Sequence, residues 1–142
     1  MKNKTYKEKN NQAFYLQAKK SLGQNFLNNE SVIDKISSAI DSLFEQNKEK
    51  YLHEIGPGSG ALTKKLLDKN IKILAVEKDQ RAVEGLAKTL ITEFSNQINI
   101  LNTDILKWNP DKLDWDGKYN DIKEMSKNNN LFVMYYLCGF FC

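Results

Sequence analysis

Three glycines at alternate positions, Gly56, Gly58 and Gly60, follow directly after the apolar run 51–55. Glycine adopts positive φ at little cost, so a turn of this kind brings main-chain N–H groups close to a ligand. Helical periodicity starts immediately after the turn, and the free N–H groups of a helix N-terminus would point to the same place. The succession of strand, Gly-rich turn and helix predicts a nucleotide-binding site.

An acidic residue stands at the distance that such a site requires. Glu77 lies 21 residues after Gly56, at the end of a second apolar run over 71–76. A carboxylate at this spacing is placed to accept hydrogen bonds from ribose hydroxyls. The residues alone leave two alternatives open. Glu77 could support the start of the following helix, where Asp79 also stands, and the glycines could form only a tight strand-to-helix connection.

Strands and helices alternate along the chain with short joins, which predicts a parallel sheet with right-handed crossovers. The predicted strands are 51–55, 71–77, 98–102 and 131–134. The predicted helices run from an Asn28 or Asn29 cap to about Phe44, over 60–69, and from an Asp79 cap to about Phe94. Residues 105–130 are predicted to form a loop, with Trp108 and Trp115 as packing anchors.

The chain of 142 residues, with 41% apolar and 27% charged residues, has the size and composition of one globular domain. Residues 1–20 carry a net charge of +5, whereas residues 21–142 carry −2. We predict a basic, disordered arm over 1–17 and a single domain over 18–142. A basic arm suits a polyanionic partner such as RNA, and a solvated tail is the alternative.

Several classes of protein are disfavoured by composition. No apolar run reaches the length of a membrane span, and the N-terminus lacks the apolar segment of a secretory signal, so a cytoplasmic location is expected. Cys138 and Cys142 lie far from the single histidine, His53, and no zinc site or disulfide is predicted. His53 is expected to be a packed strand residue rather than a base, and Lys64 and Lys65 a solvated helix face.

Motifs at several positions share one resemblance. The block LGQNFLN at 22–28 precedes the first predicted helix, EIGPGSGALT at 54–63 forms the Gly-rich turn, and VEKD at 76–79 follows the second strand. Together with Asp104, after the third strand, they resemble the small-subunit ribosomal RNA adenine N6-dimethyltransferases of the KsgA type. The resemblance covers roughly 18–133. The Gly-Pro-Gly form is closer to this branch than to the antibiotic-resistance methyltransferases that act on large-subunit RNA.

The resemblance implies an α/β fold of the class I (Rossmann-like) methyltransferase type, truncated after about the fourth strand, and S-adenosylmethionine as the cofactor. Gly56 and Gly58 would leave room for the amino-acid moiety of the cofactor. Glu77 would hold the ribose hydroxyls, and Asp104 would accept a hydrogen bond from the adenine amino group. From the residues alone, Asp104 could equally be a turn residue.

The loop before the first helix would contribute to the same site. By the resemblance, Asn25 and Leu27 would lie over the cofactor, through a polar and an apolar contact. Lys19 and Lys20 would lie close to the RNA target. The implied partner is small-subunit ribosomal RNA in the immature small ribosomal subunit, with neither a membrane nor a metal involved.

The catalytic motif of that family, Asn-x-Pro-Tyr (or Phe) after the fourth strand, is absent from this sequence. Val133 is followed by MYYLCGFFC, and the only prolines are Pro57 and Pro110. In the family, the Asn side-chain oxygen accepts a hydrogen bond from the target amine and the aromatic residue stacks on the flipped base. The helical C-terminal domain of the family is also missing. We therefore assign no catalytic residue.

These absences predict an inactive fragment, of the kind that a truncation or a shifted reading frame after Val133 would produce. A non-catalytic module that binds S-adenosylmethionine or RNA is the alternative function. A nicotinamide-dependent dehydrogenase is disfavoured, because the turn has Gly-x-Gly-x-Gly rather than Gly-x-Gly-x-x-Gly spacing.

Overall fold

Four parallel strands form one sheet in the order β3-β2-β1-β4. The computed structural model describes residues 27–46 and 50–108 and the backbone of 131–135. The strands are β1 (Tyr51–Ile55), β2 (Lys72–Glu77), β3 (Ile98–Asn102) and β4 (Leu131–Tyr135). The predicted parallel α/β sheet is confirmed, and every strand lies within one residue of its predicted bounds.

The register brings the carboxyl ends of the strands together. Ile55 at the end of β1 pairs with Val76 of β2 and with Tyr135 of β4. Glu77 at the end of β2 pairs with Asn102 at the end of β3. The segments that follow β1, β2 and β3 therefore leave from one edge of the sheet, which is where ligands bind in open parallel sheets.

One helix precedes β1 and the others lie between the strands in the chain, as predicted. They are α1 (Glu30–Leu43), α2 (Ala61–Asp68), α3 (Gln80–Leu86), which continues as a π-helical segment (Ala87–Ile91), and α4 (Thr92–Phe94). Two predicted caps are confirmed, since Asn29 Oδ1 accepts from Val32 N at 3.2 Å and Asp79 Oδ1 accepts from Arg81 N at 3.0 Å.

The helix predicted to run from the Asp79 cap to about Phe94 is found at these bounds, but residues Ala87–Ile91 within it form a π-helical segment that the sequence did not predict. The Thr89 hydroxyl donates to the Gly85 carbonyl at 2.9 Å, inside the irregular stretch. A side-chain hydroxyl that bonds a carbonyl four residues back competes with the regular main-chain bond and bends helices. The apolar spacing of the sequence carries no sign of such local competition.

The sheet has two faces with different coverings. On the helix face, strand residues such as Leu52, Ile73 and Ile98 pack with residues of all four helices. The buried members of that cluster are Ile33, Ile40, Phe44, Leu52, Leu62, Leu66, Leu67, Ile71, Ile73, Ala75, Leu86, Leu90, Phe94 and Ile98. On the opposite face, the cluster consists of Tyr51, Ile55, Leu74 and Val76, with Leu101, Ile105 and Trp108 packed against it. The packing role predicted for Trp108 is confirmed.

Some predictions lie outside the described residues. These are the basic arm over 1–17, its boundary at residue 18, most of the loop before α1, and Trp115. Within the described part of the chain, no helix is long and apolar enough to cross a membrane.

Candidate functional site

The Gly-rich turn after β1 has the backbone conformation that its sequence predicts. Gly56, Gly58 and Gly60 have φ values of 70°, 57° and 80°. Gly56 N donates to Val76 O at 2.8 Å, which joins the start of the turn to β2. All three positions lie in the left-handed region, where a side chain would be strained. The turn therefore depends on glycine and is held at the carboxyl edge of the sheet.

Gly60 also sets the distance between two helices. It is the N-cap of α2, and a Cβ atom there would lie 2.4 Å from Leu86 Cδ2 on α3. That distance is far below van der Waals contact, so the third glycine lets α3 pack against the turn. Gly60 provides no side-chain cap for α2. The first main-chain N–H groups of α2 are thus left for other acceptors, as at known anion-binding helix ends.

Glu77 connects the end of β2 to the Gly-rich turn. Its side chain is only 7% exposed. Oε2 accepts from Gly58 N at 3.2 Å, and Oε1 accepts from Asp79 N at 2.8 Å. Glu77 therefore also supports the start of α3, which was the alternative left open, because its carboxylate accepts from the N–H of the cap residue Asp79. Each carboxylate oxygen has a second lone pair, so these contacts leave room for ribose hydroxyl donors.

Asp104 lies in the segment after β3, next to the loop that follows β2. Its Oδ2 is 2.9 Å from Lys78 Nζ, and its Oδ1 accepts from Leu106 N at 3.1 Å. The hydrogen bond from Lys78 is the main cause that lowers the pKa of Asp104. The bond from Leu106 N to Asp104 is typical of a turn residue. Asp104 therefore has the turn role that was left open as an alternative. The carboxylate is ionised and can still accept further hydrogen bonds.

Asn102 strengthens the junction between the two loops. Its Nδ2 donates to Glu77 O at 3.0 Å, and Thr103 N donates to the same oxygen at 3.0 Å. Sequence reasoning missed Asn102, although an amide at the end of an apolar strand is a visible signal. Through these bonds the segments that carry Glu77 and Asp104 are fixed to each other.

A small pocket opens beside the Gly-rich turn. The described residues that line it are Leu27, Glu54, Pro57, Gly58, Ser59, Ala61 and Leu62. The structure thus brings Leu27, from the segment before α1, to Gly58, which is in turn bonded to Glu77. Asn25, Lys19 and Lys20 lie outside the described residues. None of the described residues that line this pocket is basic.

Glu54 is the residue of this pocket that the sequence reasoning left without a role. Its side chain is 1% exposed, and Oε2 has no hydrogen-bond partner among the described residues. Burial raises the pKa of Glu54 to about 7. The Thr63 hydroxyl acts in the opposite direction, although its geometry falls short of a hydrogen bond, and the Glu77 carboxylate adds to the rise. The sequence signal that could have pointed to Glu54 is the presence of a charged residue inside the otherwise apolar run 51–55.

His53 lies on the opposite face of β1. It is 5% exposed, and burial lowers its pKa to about 4. Its ring meets Trp108 edge to face, with 5.6 Å between the ring centroids. The prediction of a packed strand residue is confirmed. No group of three or more His, Cys, Asp or Glu side chains suited to a metal ion occurs in the described part of the chain.

The arrangement suits a nucleoside with a charged tail. The uncapped first turn of α2 offers main-chain N–H groups, and Glu77 and Asp104 offer carboxylate acceptors after neighbouring strands. Glu54 adds a buried oxygen that has no donor among the described residues. The family model described as ribosomal RNA adenine dimethylase matches residues 15–135 of the sequence. This chain belongs to that family. The family resemblance over 18–133 is thereby confirmed.

Curated relatives of the family are named ribosomal RNA small subunit methyltransferase A. The protein of Pelagibacter ubique is 49% identical over 94 residues, which cover 66% of this chain and 32% of the relative. The protein of Malacoplasma penetrans is 38% identical over 108 residues, covering 76% and 36%. The chain therefore spans about a third of the length of the curated relatives it matches.

Solved structures of related proteins share the fold. A dimethyladenosine transferase from Plasmodium falciparum is 26% identical, with a TM-score of 0.51 over 80% of this chain and 44% of that chain. The 23S rRNA methyltransferase ErmE is 20% identical, with a TM-score of 0.52 over 80% and 48%. The second likeness concerns the fold alone. Both likenesses support the Rossmann-like α/β fold of this family member.

Proposed function

We propose that this chain is the cofactor-binding part of a ribosomal RNA adenine N6,N6-dimethyltransferase that uses S-adenosylmethionine. The enzyme acts on small-subunit ribosomal RNA during ribosome biogenesis, in the cytoplasm. The observation that carries the proposal is the bond between Glu77 Oε2 and Gly58 N at 3.2 Å. This bond joins Glu77, the predicted acceptor for the ribose hydroxyls, to Gly58, which is predicted to receive the amino-acid moiety of the cofactor. The names of the curated relatives support the small subunit as the source of the RNA.

The cofactor supplies a methyl group on a sulfonium ion, which an adenine amine can accept. In the proposal, Gly56 and Gly58 receive its amino-acid moiety, because only glycine leaves space there at positive φ. Glu77 accepts hydrogen bonds from the ribose hydroxyls. Asp104, held ionised by Lys78, accepts from the adenine amino group.

The segment before α1 covers the cofactor in this proposal. Leu27 lines the pocket next to Gly58 and provides an apolar contact. Asn25, two residues earlier in the sequence, provides a polar one. Lys19 and Lys20, together with the basic arm over 1–17, contact RNA phosphates, so deletion of residues 1–20 should make RNA affinity less dependent on salt. An unchanged salt dependence would make the arm a solvated tail.

A titration with S-adenosylmethionine tests the cofactor site. Glu77→Ala should weaken binding by about 1–3 kcal/mol, because it removes an acceptor from buried donors. The matched control is Glu84→Ala, which removes an exposed carboxyl on α3 and should leave the affinity unchanged. Isothermal calorimetry measures both, and thermal melts establish that both variants are folded. Equal affinities of wild type and Glu77→Ala would remove Glu77 from the site.

We propose further that this 142-residue chain binds the cofactor without transferring its methyl group. The specific observation is the sequence at the end of β4, where Tyr135-Tyr136-Leu137 stands in place of Asn-x-Pro-Tyr. β4 pairs with β1, so its carboxyl end lies at the same edge of the sheet as the Gly-rich turn. Without the acceptor that the Asn side chain of this motif supplies, the lone pair of the adenine amine stays delocalised in the ring.

A methyl-transfer assay tests this second proposal. The chain is incubated with labelled S-adenosylmethionine and immature small subunits, beside a version extended to the length of the relatives and carrying Asn-x-Pro-Tyr after β4. Loss of one preorganised polar group of this kind typically lowers the rate by about 10²–10³. We expect labelling by the extended protein only. Labelling by the 142-residue chain at a similar rate would contradict the proposal.

A further inference from the structure

Two buried leucines of the helix after β2 pack against the third glycine of the turn. A side-chain carbon at Gly60 would lie 3.4 Å from Leu90 Cδ1 and far closer than van der Waals contact to Leu86 Cδ2. Both leucines are at most 3% exposed. Gly60 N in turn donates to Pro57 O at 2.9 Å, across the tight turn that contains Gly58. The position of Gly58 therefore depends on where the helix places these leucines.

The same helix begins at the other half of the proposed cofactor site. The main-chain N–H of its cap, Asp79, donates to Glu77 Oε1 at 2.8 Å, and Gly58 N donates to Oε2 of the same carboxylate at 3.2 Å. The stretch from Asp79 to Leu90 is thus bonded to the carboxylate at its start and packed against the turn further along. Its helical register sets the distance between the carboxylate and the turn.

The π-helical segment keeps one row of side chains beside α2. Leu86, Leu90 and Phe94 are all buried and follow one another at intervals of four residues. In a regular α-helix, each such interval rotates the side chain by about 40° beyond a full turn, so the row would wind away from its neighbour. The segment Ala87–Ile91 has wider turns, with bonds from i to i+5, and these offset the rotation. The row accordingly reaches Lys64 on α2, whose Nζ lies 4.9 Å from the centroid of the Phe94 ring.

We propose that the π-helical segment positions the Gly-rich turn for the cofactor, and that the Thr89 hydroxyl holds this segment in place. Thr89 Oγ1 donates to Gly85 O at 2.9 Å and lies 3.5 Å from Leu86 O. A hydroxyl bonded to these carbonyls competes with the regular main-chain bonds and so favours the wider turn. Thr89 is therefore a positioning residue, which acts through the leucines on the distance between Gly58 and Glu77. This inference rests on the proposed function for the presence of the cofactor.

The test compares variants of the full chain in calorimetric titrations with S-adenosylmethionine. Thr89→Val keeps the branched shape and removes the hydroxyl of an exposed side chain, so the core stays intact. Its affinity should fall about 2- to 10-fold, the usual effect of losing one neutral hydrogen bond. Thr89→Ser keeps the hydroxyl and should bind as tightly as the wild type. The matched control, Thr92→Val, makes the same change at an exposed threonine just after the segment and should leave the affinity unchanged.

A second control separates positioning from a general loss of stability. Ile40→Val removes a buried methyl group of α1, next to Asp41 at the amino end of the sheet, and should lower the melting temperature without changing the affinity. In nuclear magnetic resonance spectra without ligand, the Gly58 amide should shift in Thr89→Val and stay in place in Thr92→Val and Ile40→Val. This readout does not depend on the cofactor.

The outcomes distinguish this inference from the proposed function. Unchanged affinity in Thr89→Val, or an equal loss in Thr89→Ser, would overturn the inference and leave the proposed function standing. A loss of affinity in Ile40→Val as large as that in Thr89→Val would make the effect one of general stability and would also overturn the inference. Failure of the wild type to bind S-adenosylmethionine would overturn the proposed function, and the role inferred for Thr89 would fail with it.

Discussion

The two faces of the sheet bury neighbouring titratable side chains of β1, an acid on one face and a base on the other. Glu54 lies on the helix face, where four helices cover the sheet, and His53 lies on the opposite face beside Trp108. Both are at most 5% exposed. Burial raises the pKa of the acid to about 7 and lowers the pKa of the base to about 4. The same physical cause thus favours the neutral form of both residues.

The difference between the faces lies in what surrounds each group. Glu54 lines an open pocket with a second carboxylate near it, whereas His53 contacts the edge of an aromatic ring. An unpartnered oxygen that lines a pocket can be satisfied by a ligand. An unpartnered ring nitrogen packed against Trp108 has no such opening among the described residues. The two neighbours on β1 therefore differ in what they can do. Glu54 faces a pocket that a ligand can enter, whereas His53 is packed against Trp108.

The largest expected effect concerns the packing of the helix face. Gly60→Ala should destabilise the protein by about 2–5 kcal/mol, from left-handed backbone strain and from overpacking. The new methyl group would lie 2.4 Å from Leu86 Cδ2. Urea denaturation measures the change. Ser59→Ala, in the same turn, is the control and should cost much less; a similar cost for both would mean that the contact with Leu86 relaxes freely.

The next effect concerns pH and separates the two faces directly. Relative to its ordinary value of 4.5, the raised pKa of Glu54 makes its contribution to stability fall by about 3 kcal/mol as the pH rises from 4.5 to 7. The lowered pKa of His53 makes its contribution rise by a similar amount, about 3 kcal/mol, between pH 4 and 6.5. In the wild type the two contributions oppose each other.

Single substitutions should expose each contribution. In Glu54→Gln, the free energy of unfolding should rise more steeply with pH than in the wild type, because only the His53 contribution remains. In His53→Phe it should rise less steeply or fall. Urea denaturation between pH 4.5 and 7.5 gives the curves, and their difference from the wild type cancels the titration of the surface carboxyls. Curves parallel to the wild type would show that neither group is buried as described.

Local sequence signals predicted most of the fold and part of the site. The apolar run 51–55 and its following glycines located β1, the turn and the start of α2 almost to the residue. These local signals could not show that an oxygen of Glu54 lacks a donor among the described residues. The groups near its carboxyl, Thr63 and Glu77, are brought there by α2 and β2, and such contacts are not visible in the local sequence. The π-helical segment was missed for a similar reason, since the Thr89 hydroxyl bond is invisible in an apolar pattern.

The smallest effect tests whether the two faces are energetically independent. His53 and Trp108 meet with an interplanar angle of 69°, an edge-to-face geometry that typically contributes about 0.5–1.5 kcal/mol beyond burial. A double-mutant cycle with His53→Leu and Trp108→Leu should return a coupling of this size, measured at pH 7.5, where both rings are neutral. The control cycle combines Trp108→Leu with Glu54→Gln, one residue further along β1 but on the other face, and should return a coupling near zero. A coupling to Glu54 as large as that to His53 would mean that the sheet transmits changes between its faces, and the separate roles given to the two neighbours would then fail.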